Sequence, residues 1–232
     1  MFKEKRIGAV LLMGGEGLRF GTELPKQFHL LGSKPVFQYA LDTLLDSQLF
    51  DEIVLVCHPD WLDQVQTNLN IILGGTTRQV SSYQGLKAFK TPPDIVLIHD
   101  AVRPFVTKSI LEENVLGAIQ WGATDTCIPS ADTIVHAPKK TTIASIPKRE
   151  EYLRGQTPQT FRYDWILNAH EKALQEGIEN VSDDCRLVLD AGYPVHIVLG
   201  NEQNLKITSE MDLSIASFLM TKNISLLANY GS

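Results

Sequence analysis

Three cysteines in 232 residues, Cys57, Cys127 and Cys185, are odd in number and too far apart for a disulfide framework or a CxxC metal site. They read as reduced thiols, as expected of a cytoplasmic protein. Long apolar runs are missing too: no stretch approaches the ~20 residues needed to cross a bilayer. The run from Ile7 to Met13 follows the basic "KEKR" as in a signal peptide, but it is short and leads into glycines, as a buried strand would. Positive charge is scarce. With 21 Lys and Arg against 27 Asp and Glu the formal net charge is -6, and beyond "KEKR" and "KK" there is no basic cluster, which argues against nucleic acid as a partner. No sharp change in composition marks a linker, so 1–232 is expected to be a single domain.

Short apolar runs recur at 7–13, 53–57, 70–73, 95–100 and 195–200, each suited to a buried strand. Between them, 36–47, 61–69, 79–90 and 107–121 have helical spacing, the last behind a Thr107 N-cap. Alternating strand and helix argue for an α/β protein with a mostly parallel sheet and helices on both faces. Residues 129–157 break the pattern with two β-prone runs, "DTIVH" and "TTIAS", joined by a turn at "APKK". They are expected to form a protruding β-hairpin arm, either an embrace for a second subunit or a solvated hairpin. A final helix begins at "SEMD", 209–212, in a capping-box pattern, and is assigned packing only.

Open sheets of this type bind ligands outside the carboxyl ends of their strands. The chemistry-bearing motifs fall there: "GGEGLRFG" after the first strand, "GGTTR" after the third, "HDAVRP" after the fourth. Glycines let backbone amides approach phosphate oxygens where a Cβ would collide. Gly15, Gly17 and Gly21 spell GxGxxxG, close to a dinucleotide fingerprint. Against an NAD(P)-dependent oxidoreductase, the second strand runs into His58 and Pro59 where an acidic residue is expected for the ribose, and Arg19 and Lys26 follow the glycines. A Walker GxxxxGK[ST] loop is absent. Taken alone, the stretch reads as a phosphate cradle or as turn glycines beside surface cations.

"GGEGLRFG", "PKQF", "GGTTRQVSS", "HDAVRPF", "DTIV", "TPQTF", "SDD" and "NLKIT", in that order and nearly end to end, make the chain resemble the CTP-dependent cytidylyltransferases of small polyol phosphates. The resemblance implies a Rossmann-like sheet, Mg2+ and a homodimer joined through the arm. Arg19, Lys26 and Lys206 would surround the CTP phosphates and serve catalysis. Gly15, Gly17, Gly75, Thr76, Ser81 and Asp100 would hold the nucleotide, and Asp100 the metal. Arg103, Thr133, Arg149, Thr157 and Ser182 would bind the polyol phosphate, Thr133 and Arg149 from the partner's arm. On the residues alone, Asp100 remains open to a helix cap or salt bridge, Ser182 to an N-cap and Lys206 to a solvated surface lysine. His99 is not assigned as a general base, because a phosphate nucleophile is already ionised at neutral pH.

The implied reaction is transfer of CMP from CTP to 2-C-methyl-D-erythritol 4-phosphate, in isoprenoid precursor synthesis. Ribitol 5-phosphate, giving CDP-ribitol, is the alternative. Met13-Gly14-Gly15, "DAVRP", "GQTPQTF" and Cys185 after "SDD" pull toward ribitol; the wider occurrence of the isoprenoid enzyme places methylerythritol phosphate first by a narrow margin. A non-catalytic nucleotide-binding relative is opposed by the presence of all the charged motif residues.

Overall fold

The structure, a computed structural model, describes residues 2–15 and 24–229, with side chains as far as residue 221. Gly17, Arg19 and Gly21 lie outside the described residues.

The first strand, β1 (Ile7–Met13), is buried along its whole length. Its alternate side chains explain why. Ala9 and Leu11 enter one apolar cluster and Val10 and Leu12 another, so both faces of the strand are covered and a period of two gives way to a continuous apolar run. The same holds for β4 (Glu52–Cys57) and β6 (Ile95–Asp100), which flank β1 in parallel. With β5 (Asn70–Leu73), β7 (Ala123–Pro129), β8 (Leu153–Arg162) and β9 (His196–Leu199) they form a seven-stranded sheet in the order β5-β4-β1-β6-β8-β7-β9. Within it β8 alone is antiparallel to its neighbours. The two residues of β2 (Leu30–Leu31) and of β3 (Lys34–Pro35) make a separate small ribbon.

Helices α1 (Val36–Ser47) and α3 (Lys108–Trp121) cover one face of the sheet; α2 (Arg78–Lys87), α4 (Tyr163–Gln175) and α5 (Asp184–Asp190) cover the other. Thr107 caps α3 as expected, its hydroxyl accepting from the Ile110 amide. Helix α2 lies very close to the sheet: a Cβ on Gly85 would stand 2.5 Å from Cγ1 of Val10. The last helix, α6 (Glu210–Asn229), starts with the expected box. Asp212 accepts from the amides of Thr208 and Ser209, and Ser209 Oγ accepts from the Asp212 amide.

Three expectations need correction. Residues 61–69 are not a helix; a 3-10 turn spans Pro59–Gln64 and Val65 is already extended, since only Trp61, Leu62, Val65 and Leu69 have core to meet there. The arm is less regular than a two-stranded hairpin. One antiparallel bridge, His136 to Ser145, closes it, because few of its residues have apolar surface to cover. Its distal boundary also moves, for residues 153–157 belong to β8.

Candidate active site

A cleft of about 760 Å3 opens at the carboxyl ends of β1, β4, β5 and β6, a size that suits a nucleotide. Its floor is the turn after β1, its wall the turn after β5 and the start of α2, and its rim Lys26, Asp100 and Lys206.

Each part is held by side chains whose role is to shape backbone. Gln27, 1% exposed, donates from Nε2 to the carbonyls of Met13 (2.8 Å) and Gly15 (3.0 Å), and so anchors the first glycine turn. Ser81 does the same for the second: its Oγ accepts from the Gly75 amide at 3.1 Å and donates to the Thr77 carbonyl at 2.9 Å. Thr77 caps α2 through the Val80 amide, which leaves the positive end of that helix facing the cleft. Gly75 has to be glycine, because a Cβ there would run into the Val80 side chain. By contrast a Cβ on Gly15 meets nothing within 4 Å among the described residues.

Charge in the cleft is organised by Asp100, only 6% exposed. Lys206 Nζ lies 2.7 Å from its Oδ2 and Arg78 Nε 3.4 Å from its Oδ1. Burial alone would raise the pKa of this carboxyl, yet Arg78 and Lys206 hold it well below the usual range. Arg78 in turn donates from Nη1 to Oδ2 of Asp184 at 2.6 Å, and Asp184 Oδ1 accepts from His170 Nε2 at 3.0 Å. A relay of alternating charge, buried at its two carboxylates, therefore runs from Lys206 through Asp100 and Arg78 to Asp184. Burial works against the Arg78 cation, but Asp184 and Asp100 raise its pKa above the ordinary value.

His99 is part of the scaffold. Its Nε2 donates to the Arg103 carbonyl (3.2 Å), its Nδ1 accepts from Thr157 Oγ1 (3.0 Å), and that hydroxyl accepts from the Asp100 amide (3.1 Å). Burial pushes the imidazole down to about 4. Both ring nitrogens are thus engaged within the scaffold.

Of the residues expected at the site, Gly15, Lys26, Gly75, Thr76, Ser81, Asp100 and Lys206 line the cleft. Arg19 and Gly17 lie outside the described residues. Arg103 and Thr157 stand behind Asp100, Arg103 Nη1 donating to the Asn204 carbonyl at 2.8 Å. Ser182 is exposed next to α5; the cap of that helix is Asp183, which accepts from the Cys185 amide, so the N-cap reading of Ser182 is corrected by one residue. Thr133 and Arg149 are on the exposed arm, Arg149 donating to the Ala131 carbonyl. Lys206, open to a solvated reading, is ion-paired instead.

Sequence reasoning missed Arg78, Asp184 and His170. Arg78 carried a signal, for a cation in the first turn of a helix opposes the macrodipole and calls for a carboxylate partner. Among the described residues no helix is long and apolar enough to cross a membrane, and no group of three or more His, Cys, Asp or Glu is placed to hold a metal. All three cysteines are free and buried.

A family model described as 2-C-methyl-D-erythritol 4-phosphate cytidylyltransferase matches residues 7–222. The chain is 33% identical, over 93% of its length and 99% of the relative's, to a ribitol-5-phosphate cytidylyltransferase of Lactiplantibacillus plantarum. Among solved structures it is similar to 4-diphosphocytidyl-2C-methyl-D-erythritol synthase from Anaerococcus prevotii, with a TM-score of 0.81, 29% identity and coverage of 94% of this chain and 99% of that one. It is also similar to 2-C-methyl-D-erythritol 4-phosphate cytidylyltransferase from Thermus thermophilus, with a TM-score of 0.77, 30% identity and coverage of 91% and 98%.

Proposed function

The chain belongs to the 2-C-methyl-D-erythritol 4-phosphate cytidylyltransferase family and is a CTP-dependent cytidylyltransferase; from that premise we propose that its acceptor is ribitol 5-phosphate, which it converts to CDP-ribitol. The 33% identity to a ribitol-5-phosphate cytidylyltransferase, over nearly all of both chains, supports this order of the two acceptors. So do the departures around Met13-Gly14-Gly15 and "DAVRP". The reading therefore reverses the narrow preference for methylerythritol phosphate drawn from the sequence alone.

The observation that carries the chemistry is the cleft in which Asp100, Lys206 and Arg78 meet the turns at Gly15 and Gly75. In this reading the backbone of those turns and the start of α2 receive CTP, and Lys26 and Lys206 lie along its phosphates. A phosphate oxygen of the acceptor attacks the α-phosphorus in line, a new P–O bond forms, the bond to the β-phosphate oxygen breaks, and pyrophosphate leaves. No proton needs to be removed from the nucleophile. The residues align two anions and offset their repulsion, and cations whose contact tightens as charge builds on the pyrophosphate lower the barrier.

The donor set suits Mg2+, which binds through one or two carboxylates together with substrate phosphates. Asp100 would hold it by Oδ1, the oxygen only loosely engaged by Arg78 at 3.4 Å. When bound, the ion neutralises phosphate charge and polarises the α-phosphoryl group. We place a homodimer contact on the arm, where Val135, Ile143 and Ile146 are 45%, 61% and 60% exposed, with Thr133 and Arg149 directed to the partner's acceptor site.

The test is a comparison of kcat/KM for pyrophosphate release with CTP, Mg2+ and each acceptor offered separately. A higher value with ribitol 5-phosphate is expected. Preference for methylerythritol phosphate would overturn the acceptor, and no release with either would overturn the reaction.

A further inference from the structure

Beyond Asp100 and Arg78, a second polar cluster occupies the same face of the sheet. Asp125 on β7 pairs with Gln159 on β8, and Gln159 Nε2 donates both to Asp125 Oδ1 (3.0 Å) and to Asp183 Oδ2 (2.8 Å). One fully buried amide thus holds two carboxylates close together. Burial pushes the Asp125 carboxyl up to about 6, and the proximity of Asp183 adds to this.

Two features of the cluster are unfinished. Arg103 is 8% exposed and stabilises both Asp100 and Asp125 by its charge, yet its Nε has no hydrogen-bond partner among the described residues; nor has Oε1 of Gln159. The second oxygen of Asp125, Oδ2, has a weak thiol donor, Cys127 Sγ at 3.5 Å, and faces the exposed Gly155, where a Cβ would sit 3.7 Å away. A buried guanidinium N–H left in this state costs free energy until something satisfies it, and the half-buried Asp125 Oδ2 beside it keeps capacity to accept a stronger donor than a thiol.

We propose that Asp125, oriented by Gln159 and assisted by Arg103, binds the hydroxyl groups of the acceptor's polyol chain and makes the enzyme selective for an unbranched, fully hydroxylated phosphomonoester. The inference rests on the ribitol 5-phosphate reading above. An alcohol is the matching group because it donates to a carboxylate and accepts from a guanidinium N–H through one atom. A methyl branch at the same place would bury these polar atoms with no partner, a larger penalty than any loss of apolar contact. A cation is a poorer match: the two carboxylates are already bridged by amide hydrogens, and no third ligand converges on them among the described residues. The location is also consistent. Arg78 touches Asp100 at the cleft and Asp184 next to Asp183, so one chain of ion pairs leads from the cleft to the edge of the cluster.

The test uses the whole enzyme with Asp125→Leu and Asp125→Asn, both acceptors, and CTP and Mg2+. Asp125→Leu should raise KM for ribitol 5-phosphate about 10- to 100-fold, the loss expected for one hydrogen bond to a charged acceptor. It should leave KM for CTP and the melting temperature no worse, while Asp125→Asn, which keeps one acceptor oxygen, recovers part of the loss. Should the leucine variant not fold, the equal-sized asparagine variant carries the comparison. Unchanged KM for ribitol 5-phosphate, or an equal rise for CTP, overturns the assignment while wild-type turnover of ribitol 5-phosphate leaves the function standing. A wild-type enzyme that uses methylerythritol phosphate alone overturns both.

Discussion

Asp184→Asn perturbs the relay with almost no change of shape. Asp184 is 1% exposed and answers Arg78 at 2.6 Å and His170 at 3.0 Å. An amide cannot satisfy both donors, and Arg78 keeps only Asp100, at the longer distance of 3.4 Å. Breaking a buried ion pair from one side costs about 3 to 5 kcal/mol. Because the Arg78 side chain is 23% exposed, water recovers part of this, and the lower end, about 3 kcal/mol, is expected. For a domain of this size that is a fall in Tm of about 6 to 12 °C, readable by circular dichroism or calorimetry without nucleotide. Acid titration adds a second reading. Burial would raise the Asp184 pKa, but Arg78 and His170 hold it below the ordinary 3.8, so its contribution is complete above about pH 4 and disappears as pH falls toward the folded value. The gap between wild type and variant should stay constant from about pH 5 to 8 and narrow below about pH 4. A variant that melts within about 2 °C of wild type at neutral pH would refute the claim that this pair holds Arg78 in place.

Lys26→Ala should lower kcat by about 10^2 to 10^3 with the fold intact, if the lysine follows charge that grows in the transition state; normal pyrophosphate release would remove it from the mechanism. Asp125→Asn should stabilise the protein at pH 7 to 8, because burial raises this carboxyl from 3.8 to about 6 in the folded state. The folded form then binds more protons between those values, so wild-type stability falls as pH rises from about 4 to 6, by up to about 2 kcal/mol after allowance for partial exposure, and the variant lacks that slope. Parallel urea melts across this range decide it, and identical slopes would be the adverse result.

The parts of the fold legible in the sequence are those where both faces of an element are apolar or one cap is unambiguous. The run Ile7–Met13, the strand ending at Asp100 and the Thr107 cap were all readable for that reason. Strand β7 was not. It buries Thr124 and Thr126, whose hydroxyls are satisfied by Asn114 of α3, with Thr124 Oγ1 donating to Asn114 Oδ1 and Asn114 Nδ2 to Thr126 Oγ1. Buried polar residues leave no hydrophobic period, and β8, with Gln156, Thr157, Gln159 and Thr160 buried, is hidden by the same composition.

The primary structure alone determined the sheet's apolar centre, the glycine turns and the motif order that places this chain in its family, because each is a matter of residues close together or of local backbone freedom. The partners of the charged groups were decided by tertiary structure. Arg78 meets carboxylates 22 and 106 residues away, and Gln159 joins Asp125 to Asp183 across two strands and a helix start. Such pairings exist only once the chain has closed on itself, since the dielectric that makes them matter is that of the folded interior.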